Sequence, residues 1–480
     1  MPDFNTKFEF RDPIHGMIEI NELEREIINT RAFQRLRYIK QLGTSYLVYH
    51  GAEHTRFGHS LGVLHLVDRA FEILMQKEPL KSKLSNTEDY KKAKYTIRLA
   101  ALLHDIGHAP FSHVGEEKKY GLFPFLTDIN GQTNSGHEVY TRLIIREKLS
   151  DLIDSYYDIT GVRTVDVLRL LIGDTEDKEL RFLYDLIDGQ LDADKMDYLK
   201  RDSHYCGVNY GNYDLEKMLN AFCICESNNG DWQLGISSEG VYAVEEFVYA
   251  RYWMFLQVYF HKTRRIYDRY LAKFLKKELG QFPENIDQYL AYDDTEIFQR
   301  IKARKNDPSN IWAEKLYNRK HIKEAFVSPV PQLDDASLNR VGWVIEQFKK
   351  VFDYDDDSDD FYCDQAKGST ATELIEITNY ISESDGEEGK YQLPAIPVKD
   401  KHANCIRKIQ DYSIPIKAIS DKKINILRVY STSEKIREVK EFCTDYYYNK
   451  YPEYEKEFYE TQKKFEEMKK EREDISKKYK

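Results

Sequence analysis

The residues best suited to chemistry lie at the end of one apolar stretch, Leu99–His113. An apolar run there is followed by His104, Asp105, His108 and His113. Imidazole and carboxylate groups at the end of a buried helix are costly to desolvate unless something binds them, and both are ligands of divalent metals. His104 and His108 are one helical turn apart and therefore face the same side of a helix. The pattern indicates a metal centre.

Two further candidates lie far from this stretch along the chain. His59 begins a segment with helical apolar spacing, where a single histidine is most often structural, but the His104–Asp105 pair favours a metal role. Asp194 lies beside the stripe formed by Lys195, Tyr198 and Asp202 on a predicted helix. That stripe is typical either of a salt-bridged surface helix or of a polar pocket wall.

Apolar periodicity predicts the elements that must position these groups. Polarity alternates around a Pro/Gly turn in residues 8–21, which predicts a hairpin. Helical spacing predicts a buried helix from Ala93 to Ile106, a helix from His59 onward and another from His137. The remaining predicted elements are helices over 22–41, 244–279, 294–304 and 309–325 and strands near 232–236 and 424–430.

Composition bounds the class of protein. The 480 residues carry a net charge of -11, which argues against a protein that mainly coats nucleic acid or anionic membrane. An apolar run long enough to span a membrane is missing, and the first residues lack a basic-then-apolar signal, so we expect a cytoplasmic protein. Six scattered cysteines without C-x-x-C spacing argue against a disulfide framework and a zinc ribbon.

We predict three regions along the chain. Residues 1–285 form the catalytic core and residues 286–445 a C-terminal lobe. An acidic, flexible insertion near 353–390 interrupts that lobe, and 446–480 form a charged helical tail.

Taken together, His59, His104-Asp105 and Asp194 form the ordered pattern H…HD…D. With it the sequence resembles the HD-domain metal-dependent phosphohydrolases and, more closely, the dNTP triphosphohydrolases of the SAMHD type. The resemblance covers most of residues 8–445. It is carried by the motifs Asp12–Gly16, Phe33–Gly43, His54–Val63, His104–His113, Asp194–Tyr198 with Arg201-Asp202, and Tyr259–Lys262, and more faintly by Ile426–Tyr430.

The resemblance implies a mainly α fold, with an HD-domain helical core, small β-hairpins and a mixed α/β C-terminal lobe. It implies hydrolysis of a deoxynucleoside triphosphate to a deoxynucleoside and inorganic triphosphate. The implied metal ligands are His59, His104, Asp105 and Asp194, which suit Fe, Mn, Zn or Mg, and Mg or Mn would accompany the substrate phosphates.

Individual roles follow from the same resemblance. His113 would protonate the departing 5′-oxygen, tuned by His137 and by Glu116, which stands where the family usually has Asp. His108 would contact phosphate or metal-bound water. The implied substrate-binding residues are Gln41, Leu42, Arg56, Lys195, Tyr198, Asp202, Arg251 and Tyr259. Tyr259 would exclude a 2′-hydroxyl.

The resemblance also implies a homo-oligomer, a dimer or a tetramer, and an effector site. That site would contain Asn29, Gln34, Arg37, His261 and Lys262. Asn29 stands where GTP-triggered relatives carry an acidic residue, and its amide cannot accept both guanine protons as a carboxylate does, which argues against activation by GTP. We expect no SAM domain before the HD region.

Two alternatives stay open. One is an HD phosphohydrolase acting on nucleoside monophosphates or cyclic nucleotides, against which Asp202 and Tyr259 argue because they suit a deoxyribose pocket. The other is a non-catalytic HD scaffold or single-strand nucleic-acid binder, supported only by the basic and aromatic 244–279 helix. The net acidity makes nucleic acid an unfavourable partner.

Overall fold

The structure, a computed structural model, describes residues 8–127, 131, 133–175, 177–227, 230–328, 332–333, 335–356, 358–367, 396–400, 405–420, 423–456 and 460. The described residues fall into two compact units. The first lies within Met1–Lys320 and Glu373–Asp421, and the second within His321–Thr372 and Lys422–Lys480. This division follows Lys320 and is discontinuous, whereas the predicted boundary follows residue 285. Among the described residues, no helix has the length and apolarity needed to cross a membrane.

The first unit is built mainly of helices. They are α1 (Glu22–Asn29), α2 (Arg31–Gln34), α3 (Arg56–Met75), α4 (Leu80–Lys83), α5 (Thr87–Leu103), α6 (His137–Ile144), α7 (Ser150–Ser155), α8 (Tyr157–Thr160), α9 (Thr164–Leu171), α10 (Phe182–Asp185), α11 (Ala193–Cys206), α12 (Leu215–Ala221), α13 (Val241–Met254), α14 (Lys262–Leu279), α15 (Ile286–Tyr289), α16 (Asp294–Arg304) and α17 (Ile311–Tyr317). A further helix of this unit comprises Ile414–Ser420. The fold is mainly α, as predicted.

Small sheets complete the first unit. The predicted hairpin is confirmed as β1 (Phe8–Asp12) and β2 (Gly16–Ile20), paired antiparallel. The other strands are β3 (Leu126–Thr127), β4 (Thr133–Asn134), β5 (Phe222–Glu226), β6 (Trp232–Ser237), β10 (Pro397–Asp400) and β11 (Cys405–Lys408). The order β11-β10-β6-β5 forms a four-stranded sheet, in which β6 and β10 are parallel.

The core that positions the site consists of α3, α5 and α11. Helix α5 begins at Thr87 because the Asn86 side chain accepts a hydrogen bond from the Glu88 amide (3.1 Å). The last turn before His104 is fully buried. Helices α3 and α11 approach closely at Gly62, where a Cβ atom would overlap the Asp197 carboxylate. A larger residue at Gly62 would therefore push these two helices apart.

Three predicted helices are shorter than their sequence patterns indicated. The 22–41 helix stops at Asn29, since extended Thr30 caps a new helix through the Phe33 amide. The 244–279 helix is divided by a π-helical turn over Phe255–Tyr259 and by extended His261, whose Nδ1 accepts from the Thr263 amide. The 309–325 helix stops at Tyr317, close to Arg319 with φ 53°, and a strand follows.

The second unit is a mixed α/β layer. Its strands are β7 (Lys323–Val327), β8 (Gln332–Leu333), β9 (Phe361–Lys367) and β12 (Lys423–Ser431). β12 pairs antiparallel with the other three. Its helices are Asp335–Phe352 and Ile436–Asp445, and their apolar faces pack on the sheet around Val344, Phe348, Leu427 and Val439.

Some predicted features fall only partly within the described residues. Of the acidic insertion near 353–390, β9 begins at Phe361, and residues 368–390 lie outside the described ranges. Residues 446–456 of the predicted tail are helical, and most of the later ones lie outside. None of the six cysteines, all of which lie in the described ranges, forms a disulfide bond.

Candidate active site

Four predicted metal-ligating residues converge from three helices of the first unit. His59 comes from the first turn of α3, His104 and Asp105 directly follow α5, and Asp194 lies in the first turn of α11. His59 Nε2 lies 2.8 Å from Asp194 Oδ1 and 3.5 Å from Asp105 Oδ2. His104 Nε2 lies 3.4 Å from Asp105 Oδ1 and 3.8 Å from Asp194 Oδ1. His59, His104 and Asp194 present ligand atoms close enough together to hold one ion, a group that does not include Asp105. A second such group is formed by His108, His113, Glu116 and His137.

In their neutral forms both imidazoles keep their hydrogen on Nδ1, which leaves the Nε2 lone pairs facing the group. His104 Nδ1 lies 2.7 Å from the Ala101 carbonyl and must donate to it. His59 Nδ1 faces the Asp197 carboxylate at 2.7 Å. Both Nε2 atoms are buried without a hydrogen-bond partner. Two such nitrogens beside carboxylate oxygens fit a divalent cation.

A buried network orients His59. Asp197 accepts two hydrogen bonds from Arg201, each 2.8 Å, and lies 2.7 Å from His15 Nε2. Arg201 also donates to Asp12 at 2.8 Å. Because a carboxylate behind a ligating imidazole fixes its tautomer and raises its basicity, this network preorganises the group.

The electrostatics of the group point the same way. Burial alone would lower the pKa of His59, but the neighbouring carboxylates of Asp194 and Asp197 raise that pKa to about 10. Burial opposes ionisation of Asp194, yet its contacts with His104 and His59 lower its pKa. The field at this point therefore favours positive charge.

A second group of chemically active side chains lies directly beside the first. His113 Nδ1 is 2.6 Å from Glu116 Oε2, and His137 Nδ1 is 2.5 Å from Glu116 Oε1. The His108 ring stacks on His137 with centroids 3.8 Å apart, and its Nε2 lies 3.1 Å from Asp105 Oδ1. The His113 side chain is 56% exposed, whereas the others are largely covered. Asp105 thus links the two groups.

Glu116 is held ionised by its two histidines. Burial would raise the pKa of Glu116, but His137 and His113 lower it well below its usual range. In return Glu116 raises the pKa of His137 against the effect of burial. A charged carboxylate between two imidazoles fixes the orientation of both rings, which general acid catalysis by one of them requires.

Arg56 occupies the space between the two groups. It forms an ion pair with Asp105, and its Nη2 lies 3.3 Å from His113 Nε2. Its Nε donates to Ser112 Oγ at 2.9 Å. If Arg56 binds a phosphate, its guanidinium would do so next to Asp105, a predicted metal ligand, and His113, the predicted proton donor.

The predicted sugar-binding residues also meet. Asp202 accepts from Tyr259 Oη at 2.7 Å and lies 2.7 Å from His54 Nε2. The Tyr198 and Tyr259 rings meet edge to face, with their centroids 6.1 Å apart. The backbone N–H of Gln41 donates to the His54 carbonyl. The buried Gln41 Oε1 has no hydrogen-bond partner, so it is available to a donor on a ligand.

The remaining predicted residues have varied surroundings. Lys195 forms an ion pair with Asp192, the N-cap of α11. Arg251 is buried on α13 over the Phe255 ring, and Leu42 is buried in the loop before α3. In the predicted effector set, Asn29 is exposed, Gln34 bonds to Arg37, and His261 and Lys262 begin α14.

Several residues of the site have no individual role in the predictions made from the sequence. Asp197 and Arg201 lie three and seven residues after Asp194, so helical spacing could have placed them behind His59. Asp12 and His15 were noted only as parts of a motif. His54 is likewise the partner of Asp202, and nothing in the local pattern indicated it.

Comparison with known proteins also indicates an HD domain. The model of the HD domain matches residues 56–201, and that of the HD associated region matches 214–349. The uncharacterized protein YwfO of Bacillus subtilis is 37% identical over 270 residues, covering 56% of this chain and 55% of YwfO. Deoxynucleoside triphosphate triphosphohydrolase SAMHD1 of Gallus gallus is 30% identical over 333 residues, covering 66% and 53%. The chain thus spans about half the length of these relatives.

Among solved structures, a phosphohydrolase from Bacteroides thetaiotaomicron superposes with a TM-score of 0.63 at 25% identity. The superposition covers 88% of this chain and 99% of that one.

Proposed function

Because the chain belongs to the HD-domain phosphohydrolase family, we propose that it hydrolyses deoxynucleoside triphosphates to a deoxynucleoside and inorganic triphosphate. The observation that carries this proposal is the juxtaposition of two groups. The His59–His104–Asp194 group lies beside the His113–Glu116–His137 relay, with Asp105 between them. One group suits a cation that activates water, and the other suits proton transfer to a leaving group.

His59, His104, Asp105 and Asp194 would hold a divalent metal, Fe, Mn, Zn or Mg, and the orphaned Nε2 atoms support this assignment. Such a metal, when bound, lowers the pKa of water and polarises a phosphoryl oxygen. Water would add to the α-phosphorus as the bond to the 5′-oxygen breaks, so that its oxygen leaves in triphosphate. A second ion, Mg or Mn, would accompany the substrate phosphates.

His113 would give its proton to the departing 5′-oxygen. Its exposure leaves it accessible to substrate, while Glu116 holds its Nδ1 and is itself held by His137. His108, close to both Asp105 and Glu116, would contact a phosphate or the attacking water.

The substrate would be held by two sets of side chains. Arg56, Lys195, Tyr198 and Arg251 would bind the phosphates. Gln41, Leu42 and Asp202 would hold the sugar, whose 3′-hydroxyl can bond to Asp202. Tyr259, fixed through its hydroxyl on Asp202, would leave no room for a 2′-hydroxyl and so select deoxynucleotides.

The setting of the enzyme is also proposed. Six cysteines that form no disulfide bond favour the cytoplasm. The resemblance to SAMHD-type enzymes favours a homo-oligomer with dNTP as its partner. An effector, if one is used, would bind among Asn29, Gln34, Arg37, His261 and Lys262.

The test is a product assay with each of the four dNTPs and the four rNTPs, in Mn²⁺ or Mg²⁺. We expect triphosphate and deoxynucleoside from at least one dNTP, with ¹⁸O from labelled water found in triphosphate. Asp105→Asn should abolish this activity. Asp89→Asn, which changes an exposed carboxylate on α5, the helix that precedes Asp105, should not.

Other products would redirect the assignment. Release of only phosphate or pyrophosphate, or turnover only of monophosphates or cyclic nucleotides, would favour a different HD phosphohydrolase. Absence of turnover with every nucleotide would favour a scaffold.

A further inference from the structure

The loop between Gly107 and His113 is held from outside by one short segment. Tyr289 Oη donates to the Gly107 carbonyl at 2.7 Å. Asp294 Oδ1 accepts from the Phe111 amide at 2.6 Å. Tyr289 ends α15 and Asp294 begins α16, so both ends of the loop are tied to the segment that joins these two helices.

The loop needs such support because its backbone is strained. Phe111 and Ser112 have φ values of 58° and 59°, in the left-handed region that side-chain-bearing residues rarely adopt. Strain of this kind persists only where surrounding contacts impose it. His113 follows these two residues directly, so its position depends on their conformation.

Asp294 joins this loop to the opposite wall of the site. Its second oxygen, Oδ2, accepts from the Lys40 amide at 2.9 Å, next to Gln41. The Lys40 carbonyl in turn accepts from Ser112 Oγ at 2.6 Å. The Asp294 residue is 7% exposed, so a buried carboxylate fixes two backbone segments against each other.

From these contacts we infer that Asp294 is a positioning residue for His113, with Tyr289 as its partner at the far end of the loop. Asp294 contacts neither the metal-ligand group nor the relay directly. It acts through the Phe111 and Ser112 backbone, and a misplacement of His113 by a fraction of an ångström slows proton transfer more than it weakens binding. The inference rests on the proposed function only in that His113 is the proton donor.

The test compares Asp294→Ala, Asp294→Asn and Tyr289→Phe with Asp293→Ala. Asp293 caps the same helix through the Glu296 amide at 3.0 Å, so its loss disturbs α16 but not the loop. We expect Asp294→Ala to lower kcat by about 10- to 100-fold with little change in KM. Asp294→Asn retains one acceptor and should recover part of the rate. Asp293→Ala should keep the wild-type kcat.

A second readout does not depend on turnover. Hydrogen exchange should be slow at the Phe111 amide in the wild type, faster in Asp294→Ala, and unchanged in Asp293→Ala. If the wild type turns over no nucleotide, the proposed function fails, but this exchange measurement still tests whether Asp294 holds the Phe111 backbone in place. Equal kcat in Asp294→Ala and Asp293→Ala, or equal exchange at Phe111, would overturn the inference. Should Asp294→Ala not fold, Asp294→Asn and Tyr289→Phe apply the same criteria.

Discussion

Glu116 holds two imidazoles at once, one through each carboxylate oxygen. Only an ionised carboxylate can accept from both, and the low pKa of Glu116, held down by His137 and His113 against burial, keeps it so. The Glu116 side chain is long enough to contact both imidazoles. The proposed relay therefore needs the charge at this position more than the particular side-chain length.

The first prediction concerns that charge. Glu116→Gln should lower kcat by about 10²- to 10⁴-fold, the usual contribution of acid–base catalysis, because the amide cannot accept from both imidazoles. Glu116→Asp keeps the charge and should retain more activity than Glu116→Gln. Steady-state rates of triphosphate release measure both, and bound metal should stay unchanged. Equal rates for Gln and Glu would remove the relay from the mechanism.

The second prediction concerns pH. Burial raises the pKa of Asp294 to about 7, although bonds from the Lys40 and Phe111 amides oppose the rise. The pKa in the unfolded chain is about 3.9, so the folded state binds the proton more tightly. The stability contributed by this group is therefore fully present below about pH 4 and is lost as the pH rises to 7.

Urea denaturation at several pH values measures this effect against Asp294→Asn. Between pH 4 and 7 the free energy of unfolding of the wild type should fall relative to the variant, by at most about 1.4 kcal/mol per pH unit. Parallel pH profiles for the two proteins would show that Asp294 has an ordinary pKa.

At the scale of elements, α3 and α11 are joined through His59, Asp197 and Arg201. Asp197→Asn should weaken Mn²⁺ binding by about 10- to 100-fold, because the amide no longer fixes His59 as a carboxylate does. Calorimetric titration measures the affinity, with Asp89→Asn as the control. Unchanged affinity in a folded Asp197→Asn protein would show that the network is only structural.

Apolar spacing predicted α3 and α5, whereas α11 was predicted as a helix that carries the polar stripe of Lys195, Tyr198 and Asp202. It did not predict the breaks at Thr30 and His261. There the helix ends because a side chain caps the next helix, and a polar residue at such a place is indistinguishable from a surface position. The break before His261 has a consequence for the site, since Tyr259 ends the π-helical turn and reaches Asp202.

The meeting of the predicted metal ligands, which lie far apart along the chain, does not follow from helical periodicity. Residue types already associated His59 with the adjacent His104 and Asp105, but only the family resemblance added Asp194 as a ligand. Tyr289 and Asp294 carried no signal, because tertiary packing alone brings that segment to the loop before His113. Local sequence patterns predict helices and strands and the faces that they bury, whereas contacts between distant segments follow only from the tertiary fold.

At the scale of the whole molecule, the prediction that GTP does not activate the protein can be tested directly. Asn29 offers an amide where a carboxylate would accept from both N1–H and N2–H of guanine. We expect GTP neither to raise the rate of triphosphate release nor to change the mass measured by light scattering. Asn29→Asp is the matched variant, and it should bind GTP more tightly. Strong activation of the wild type by GTP would contradict this.

The most direct measurement is anomalous diffraction from crystals grown with Mn²⁺. We predict a strong peak within coordinating distance of His59 Nε2, His104 Nε2 and the Asp194 carboxylate, and its loss in Asp194→Asn. Crystals that bind Mn²⁺ elsewhere but give no peak among these three side chains would contradict the account, because both the water activation and the placing of the α-phosphate depend on that ion.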